Sequence, residues 1–274
     1  MENTMIPKVI HYCWFGGKPL PESAKKCIAS WEKYCPGYEI KRWDESNYDV
    51  SSCRYAKEAY AAKKWAFVSD YARFDILFSH GGVYFDTDVE LIAPIEDILA
   101  RGAFLGVEQN TEKLTLIAPG LGMAAPAGLS IYGQILEGYR SRSFFREDGE
   151  IDQMTVVKYT TDILLQRGLQ ELSVPQQVAD IWIYPWDYFC PMMYQTGKLS
   201  LTSNTRSIHH YDASWLSKEE RCARRVGLRT GQIFGPVTGM KLERLYSLPF
   251  RIKRKIKHKG VWGAICFAVN KLRN

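Results

Sequence analysis

The sequence lacks the features of secreted, membrane-spanning or zinc-binding proteins. No apolar run reaches the length of about 18 residues that a transmembrane helix needs, and the opening residues, MENTMIPKVI, lack the zones of a signal peptide. The seven cysteines are scattered and form no Cys-x-x-Cys pair. Structural disulfides and a zinc site are therefore not expected, and the cytoplasm is the expected compartment.

The net charge of +6 is unevenly distributed over the 274 residues. Residues 218–274 contain 15 Lys and Arg against 3 Asp and Glu, a net charge of +12, which leaves −6 for residues 1–217. We predict a main domain over 1–217 and a basic, partly helical region over 218–274 that binds an anionic membrane surface. Nucleic acid is not an expected partner, because the basic stretch RIKRKIKHKG has no interleaved aromatic residues.

The order of predicted elements indicates an α/β fold with a mostly parallel central sheet. A β-type run over 7–17, a helix over 21–37 and a strand over 38–44 form its opening. A helix over 55–80 then leads through two glycines into a strand over 83–85. Further along, the sequence predicts helices over 129–140 and 155–169, a strand over 103–109 and an aromatic strand over 181–194 that is broken by prolines.

The stretch GGVYFDTDVE places two acids, Asp86 and Asp88, at the end of a hydrophobic strand. In an extended backbone their side chains point to the same side, and two like charges that close repel unless a cation lies between them. A divalent metal is therefore predicted, with His209 or His210 as a further ligand. The alternatives are turn or capping chemistry for the acids and a buried strand end for the histidines.

Polar residues on the predicted helix 55–80 lie opposite its aromatic stripe. Asp70 can accept hydrogen bonds from sugar hydroxyls, and Arg73 can hold a carboxylate or phosphate, with Ser69 beside them. The alternative is a helical ion pair between Asp70 and Arg73. Trp14, which precedes two glycines by one residue, can stack on a nucleotide base or pack in the core.

The blocks IPKVIHYCWFGG, AFVSDYARFDILFSHGGVYFDTDVEL and SIHHYDASW resemble, in that order, the signature blocks of the DXD-containing glycosyltransferases of family 32. The resemblance covers about residues 6–95 and 207–215. It implies a GT-A fold, a nucleotide-sugar donor and transfer with retention. The residues that match the family's site are Asp86 and Asp88 for the metal, ribose and diphosphate, Asp70 and Arg73 for the donor sugar, Tyr84 before the DXD motif, Trp14 for the base, and His209, Ser214 and Trp215 in the last block.

The expected activity is therefore a metal-dependent transfer of a hexose from a nucleotide-diphosphate sugar to a glycan or a lipid-linked glycan. Mn²⁺ or Mg²⁺ is the expected metal, a UDP-sugar is favoured over a GDP-sugar, and Asp70, Arg73 and Asp88 are the expected catalytic residues. Bacterial surface polysaccharide synthesis on the inner face of the cell membrane is the expected setting.

Two other functions fit part of the pattern. A haloacid-dehalogenase-type phosphatase also carries Asp-x-Asp after a hydrophobic strand, with Asp86 as its nucleophile, although that motif belongs on the first strand. A non-catalytic sugar-binding module would keep the fold without turnover. The presence of two acids, Arg73 and a histidine argues against it.

Overall fold

A computed structural model describes residues 5–110, 114–212, 218–250, 252–253 and 256. The chain divides into two compact units. The first comprises Met1–Met192 and Leu199–Asp212, and the second comprises Met193–Lys198 and Ala213–Asn274.

Helices and strands alternate along the first unit. Its helices are α1 (Glu22–Tyr34), α2 (Arg54–Ala61), α3 (Trp65–His80), α4 (Glu96–Leu99), α5 (Ser130–Arg140), α6 (Val156–Leu165) and α7 (Trp186–Phe189). Its strands are β1 (Val9–Cys13), β2 (Glu39–Trp43), β3 (Gly82–Tyr84), β4 (Val89–Leu91), β5 (Phe104–Gly106), β6 (Met123–Ala125), β7 (Gln176–Val178), β8 (Ile181–Tyr184) and β9 (Ser207–His209).

Seven of these strands form one mixed sheet in the order β2-β1-β3-β6-β5-β8-β7. The pairs β1–β2, β1–β3 and β5–β8 are parallel, whereas β3–β6, β5–β6 and β7–β8 are antiparallel. The predicted α/β class is confirmed. The parallel half of the sheet contains the strand–helix–strand order predicted from the first 85 residues.

Both faces of the large sheet are buried. Along β3 and the residue after it, Val83 and Phe85 enter one apolar cluster and Tyr84 enters the other, because successive side chains of a strand point to opposite faces. Trp31 of α1 packs on the Phe85 side, and Phe74 of α3 packs on the Tyr84 side. A strand buried on both faces explains the continuous apolar run before the acids.

Two predicted helices were wrong in extent. The helix over 55–80 is two helices, because the chain turns at residues 62–64, where Lys63 adopts a left-handed φ of 56°. No glycine or proline marks that turn. The helix over 155–169 ends at Leu165.

The aromatic strand over 181–194 is interrupted by proline, as predicted. It ends at Tyr184, since Pro185 has no N–H with which to continue a ladder and is instead the N-cap of α7.

A separate two-stranded sheet pairs β4 with β9 in antiparallel register. Val89 lies opposite His209, so the strand that follows the paired acids lies beside the strand that carries the histidines. The indole N–H of Trp31 donates a hydrogen bond to the carbonyl of Val89 at 2.8 Å, which ties β4 to α1.

The second unit contains a helix, α8 (Lys218–Phe234), followed by further helical residues over 236–250. Gly235 makes the turn between them with φ 88°. A Cβ at Gly239 would lie 2.7 Å from the backbone of Gly231, so glycines let the two helices approach closely. Among the described residues, no helix is both long enough and apolar enough to cross a membrane.

Candidate active site

The paired acids reach the site because Gly81 and Gly82 connect α3 tightly to β3. Both glycines have positive φ, 65° and 107°. A Cβ at Gly82 would lie 2.8 Å from His11 Nε2 on β1, and one at Gly81 would lie 2.8 Å from the amide nitrogen of Ala127. Only glycine both adopts these positive φ angles readily and fits the space left for it. A single residue, Gly81, therefore separates the end of α3 from the start of β3.

Asp86 is held on several sides. Arg73 Nη2 and the Tyr84 hydroxyl each donate a hydrogen bond to its Oδ1 at 3.0 Å, and its backbone N–H donates to the carbonyl of Gly120 at 3.2 Å. A Cβ at Gly120 would overlap Asp86 Oδ2. The carboxylate is therefore confined to one orientation. Gly120 carried no signal in the sequence that linked it to the acids.

Arg73 joins Asp86 to Asp70. Its Nη2 lies 3.0 Å from Asp86 and 3.2 Å from Asp70, and the residue is 4% exposed. Burial raises the pKa of Asp70 to about 6 against the opposing charge of Arg73. Burial also works against the charge of Arg73, but its acidic neighbours outweigh it and raise the arginine pKa. The predicted polar helix face thus joins the first of the paired acids in an ion triad of Asp70, Arg73 and Asp86, in which Arg73 is buried and the two acids are partly exposed.

Asp88 is bound by residues of β9 and the segment after it. His209 Nε2 lies 3.1 Å from Asp88 Oδ1, and the Asp212 amide donates to Asp88 Oδ2 at 3.0 Å. Burial opposes ionisation of Asp88, but the contacts with His209 and Asp212 prevail and lower its pKa. Burial likewise opposes protonation of His209, but Asp88 raises the pKa of the imidazole.

The two adjacent histidines face different partners. Donor atoms of Asp86, Asp88 and His209 all lie within 4.8 Å of one another. His210 Nε2 instead contacts Glu90 Oε2 at 2.7 Å. Because residues 209 and 210 are consecutive at the end of a strand, they point to opposite sides. His209 is therefore the histidine that lies with the two acids.

The donor set fits a divalent cation such as Mn²⁺ or Mg²⁺. Two carboxylate oxygens and one imidazole nitrogen are ligands that Mn²⁺ accepts, and the remaining positions would be left to substrate or water. Burial raises the pKa of Asp86 against the opposing charge of Arg73, and the neighbouring Asp88 adds to the rise. A cation between the acids would relieve the repulsion between the two carboxylates.

Trp14 and Ser69, two further residues predicted for the site, form hydrogen bonds with residues outside this cluster. Trp14 is partly buried just after β1 and donates from its indole N–H to the carbonyl of Lys18 at 2.6 Å. The Ser69 hydroxyl donates to the carbonyl of Trp65 within its own helix at 3.2 Å. Ser214 and Trp215 lie outside the described residues.

Glu108 and Tyr211 border the cluster and were missed by the sequence reasoning. The Tyr211 hydroxyl donates to Glu108 Oε1 at 3.2 Å, and the Tyr211 ring centroid lies 4.1 Å from that of His209. Glu108 belongs to no motif, and its pKa is raised by burial. The signal in the sequence that could have identified Tyr211 was its position two residues after His209.

Comparisons with known proteins are consistent with this geometry. Residues 21–105 match the family model described as a glycosyltransferase sugar-binding region containing a DXD motif. The chain is 30% identical over 110 residues to the uncharacterized glycosyltransferase L373 of Acanthamoeba polyphaga mimivirus, covering 36% of this chain and 42% of that protein. It is 27% identical over 115 residues to inositol phosphoceramide mannosyltransferase 1 of Schizosaccharomyces pombe, covering 38% and 34%. The chain thus spans less than half the length of these relatives.

Solved structures with partial likeness are also glycosyltransferases. The PaToxG glycosyltransferase aligns with a TM-score of 0.44 at 19% identity, covering 59% of this chain and 69% of that one. The galactosyltransferase LgtC aligns with a TM-score of 0.40 at 11% identity, covering 86% and 95%. The matched residues 21–105 include the paired acids Asp86 and Asp88, so the part of the chain that is similar to a glycosyltransferase sugar-binding region contains the DXD motif.

Proposed function

We propose that the chain is a metal-dependent glycosyltransferase of the GT-A type that moves a hexose from a nucleotide-diphosphate sugar to a glycan or a lipid-linked glycan. The observation that carries this proposal is the convergence of Asp86, Asp88 and His209 beside the ion pair of Asp70 and Arg73. The first three supply ligands for a cation. Asp70 supplies an acceptor for hydrogen bonds from sugar hydroxyls, and Arg73 supplies the positive charge that holds Asp70 in place.

Asp86, Asp88 and His209 would hold Mn²⁺ or Mg²⁺. When bound, the cation supplies positive charge against the negative charge that develops on the departing diphosphate, which lowers the barrier. Arg73 fixes the position of Asp86, and Tyr84 adds a second hydrogen bond to the same oxygen. Site geometry is therefore set before the donor arrives, and less ordering remains to be done at the reaction step.

Asp70 is proposed to orient the donor sugar through its hydroxyls. Its pKa of about 6 leaves it largely ionised at neutral pH, so it can accept hydrogen bonds. Transfer breaks the bond between the anomeric carbon and the leaving phosphate oxygen and forms a bond to an acceptor oxygen. We propose that the proton of the acceptor passes to the departing phosphate and that the product keeps the donor configuration. Measurement of the product anomer tests this, and an inverted product contradicts it.

The donor base is proposed to stack on Trp14, with uridine preferred to guanosine. The Trp14 side chain is partly buried. Two residues further along the chain, the Trp65 ring covers the backbone of Gly16 so closely that a Cβ on this glycine would lie 2.6 Å from the Trp65 ring. This packing holds the segment after β1 in place. A binding comparison of UDP with GDP tests the preference, and equal or inverted affinities reject it.

The phosphatase alternative is disfavoured by the place of Asp86 in the fold. The nucleophile of that family follows the first strand. Here Asp86 follows β3, and β1 and β2 precede it in the chain. A sugar-binding module without turnover is separated from the proposed enzyme by the assay below.

The test is release of nucleoside diphosphate from a panel of UDP- and GDP-hexoses, with Mn²⁺ and with a chelator. We expect slow hydrolysis of one donor, which the chelator abolishes. Asp88→Asn should lose this hydrolysis, while Glu90→Gln should keep it, because Glu90 lies two residues away and pairs with His210. Turnover of Asp88→Asn in the presence of chelator contradicts the proposal.

We further propose that residues 218–274 attach the enzyme to the anionic inner face of a bacterial cell membrane, where a surface-polysaccharide acceptor would lie. Residues 218–274 carry a net charge of +12. The turn between α8 and the helical residues 236–250 also exposes large apolar side chains. Ile233 is 73% exposed, Phe234 69% and Val237 60%. Apolar residues that enter the headgroup region, next to cations that bind anionic lipid, are typical of interfacial helices.

A further inference from the structure

The ring of His209 has few polar contacts to fix its orientation. Nε2 lies 3.1 Å from Asp88, but Nδ1 is buried and finds no hydrogen-bond partner among the described residues. A metal-binding histidine ordinarily has its second ring nitrogen held by a hydrogen bond, which sets the plane of the ring. Here another contact must do so, and the Tyr211 ring packs on the imidazole with a centroid distance of 4.1 Å.

Tyr211 is itself fixed by two groups distant in sequence. Its hydroxyl lies 3.2 Å from Glu108 Oε1 and 3.0 Å from Cys190 Sγ. The backbone N–H of Glu108 donates to the carbonyl of Leu116 at 2.8 Å, and that of Cys190 donates to the carbonyl of Trp186 at 2.7 Å. Both anchors therefore belong to ordered backbone after β5 and α7.

The backbone at Tyr211 connects this packing to the second acid. Tyr211 has a left-handed φ of 53°, which costs a residue with a Cβ roughly 1–2 kcal/mol. The turn directs the next amide, that of Asp212, onto Asp88 Oδ2 at 3.0 Å. One residue thus packs on one cluster member and aims a donor at another. Its side-chain anchors offset the cost of the conformation.

We propose that Tyr211, anchored by Glu108 and Cys190, is a positioning residue that sets the orientation of His209 and Asp88 for a divalent cation. This inference rests on the proposed metal site and adds three residues to it to which the sequence analysis assigned no role. Tyr211 acts on the ligands, and it is not assigned a contact with donor or metal.

The experiment measures the affinity of the full chain for Mn²⁺ alone, by calorimetry or by electron paramagnetic resonance of free Mn²⁺. Tyr211→Leu removes both the ring contact with His209 and the hydroxyl anchor, and we expect the affinity for Mn²⁺ to fall roughly 10- to 100-fold. Tyr211→Phe keeps the ring and loses the hydroxyl, so a smaller loss is expected. Tyr132→Phe is the matched control, since it removes a buried core hydroxyl and should leave the affinity unchanged.

Thermal unfolding without metal shows which variants are folded at the assay temperature. If Tyr211→Leu does not fold, Glu108→Ala and Glu108→Gln provide the second comparison. The amide of Gln still accepts from Tyr211, so Gln should retain more affinity for Mn²⁺ than Ala. Normal Mn²⁺ affinity in folded Tyr211→Leu, or in both Glu108 variants, overturns the positioning role and leaves the metal site standing. Absence of Mn²⁺ binding by the wild-type chain overturns both.

Discussion

His209 Nε2 lies 3.1 Å from Asp88 Oδ1, although 121 residues separate the two along the chain. The contact follows from the antiparallel pairing of β4 with β9, in which Val89 is opposite His209. The short second sheet therefore assembles the cluster from a motif near the middle of the main domain and a block near its end.

The adjacent histidines provide a matched pair of variants. His209→Gln removes the imidazole that lies with both acids, so Mn²⁺ affinity and donor hydrolysis should each fall by roughly tenfold or more. His210→Gln changes a side chain that pairs with Glu90, and both quantities should stay near wild type. Calorimetry with Mn²⁺ and the hydrolysis assay give the two readouts. If only His210→Gln is impaired, the assignment of the ligand is wrong.

The close packing of Gly120 against the carboxylate of Asp86 gives a prediction about the orientation of that acid. A Cβ at this position would overlap Asp86 Oδ2, so Gly120→Ala should displace the carboxylate. We expect donor hydrolysis to fall by more than tenfold while the protein stays folded.

Gly128→Ala is the control for this substitution. Gly128 has φ 78°, and no atom lies within 4 Å of the position that a Cβ would occupy, so alanine there should cost about 1 kcal/mol of stability and no activity. Circular dichroism and the hydrolysis assay measure the two effects. Full activity of Gly120→Ala would show that Asp86 does not need its present orientation.

The acid-bearing strand and the helix before it were predictable from local sequence. Two glycines after an aromatic stripe end α3, and a run of apolar residues buried on both sheet faces forms β3. The sequence also predicted that Asp86 and Asp88 lie together, and they do, but in a turn rather than in extended backbone, because the Val89 N–H donates to the carbonyl of Asp86 at 3.0 Å. These features depend on residues within a few positions of one another.

The features that sequence reasoning missed depend on contacts between distant residues. Tyr211 meets Glu108 across 103 positions, and nothing in either neighbourhood specifies the other. The three-residue strands β4 and β6 are too short to show a period, and their pairing partners define them. The turn at Lys63 is a backbone conformation for which neither glycine nor proline gave a signal.

Stability should fall as the pH decreases from about 6.5 to about 4 because of His11. This buried histidine on β1 contacts the carbonyl of Gly81 through Nε2 and accepts from Trp43 through Nδ1, and burial lowers its pKa from 6.5 to about 4. Nearby His80 and Lys41 lower it further, while the Gly81 carbonyl opposes the shift. The unfolded chain therefore binds this proton at a higher pH than the folded chain does. The stabilisation is complete above pH 6.5 and decreases by about 3 kcal/mol as the pH approaches 4.

Urea unfolding of wild type and His11→Gln between pH 7 and pH 4 isolates this effect. Asp70 acts in the opposite sense, since its raised pKa of about 6 makes the folded chain take up a proton first and gain stability as the pH falls. The difference between the two proteins cancels that contribution. This difference in the free energy of unfolding should narrow as the pH falls. A difference that is constant with pH rules out the role of His11.

The proposed membrane attachment predicts that the apolar turn of the second unit matters separately from its charge. Replacing Ile233 and Phe234 with serine leaves every cation in place and removes two large exposed apolar side chains. Binding to vesicles that contain phosphatidylglycerol should weaken by roughly 30-fold or more, since each of the two lost side chains removes on the order of 1–2 kcal/mol of apolar burial. Leu165→Ser, at a half-exposed position in the first unit, is the control and should bind as wild type does.

Cosedimentation measures the affinity for the vesicles, and donor hydrolysis should be equal in all three proteins. Unchanged vesicle binding of the double variant would mean that the turn does not enter the bilayer, while equal binding to neutral phosphatidylcholine vesicles would contradict the proposed role of the basic charge.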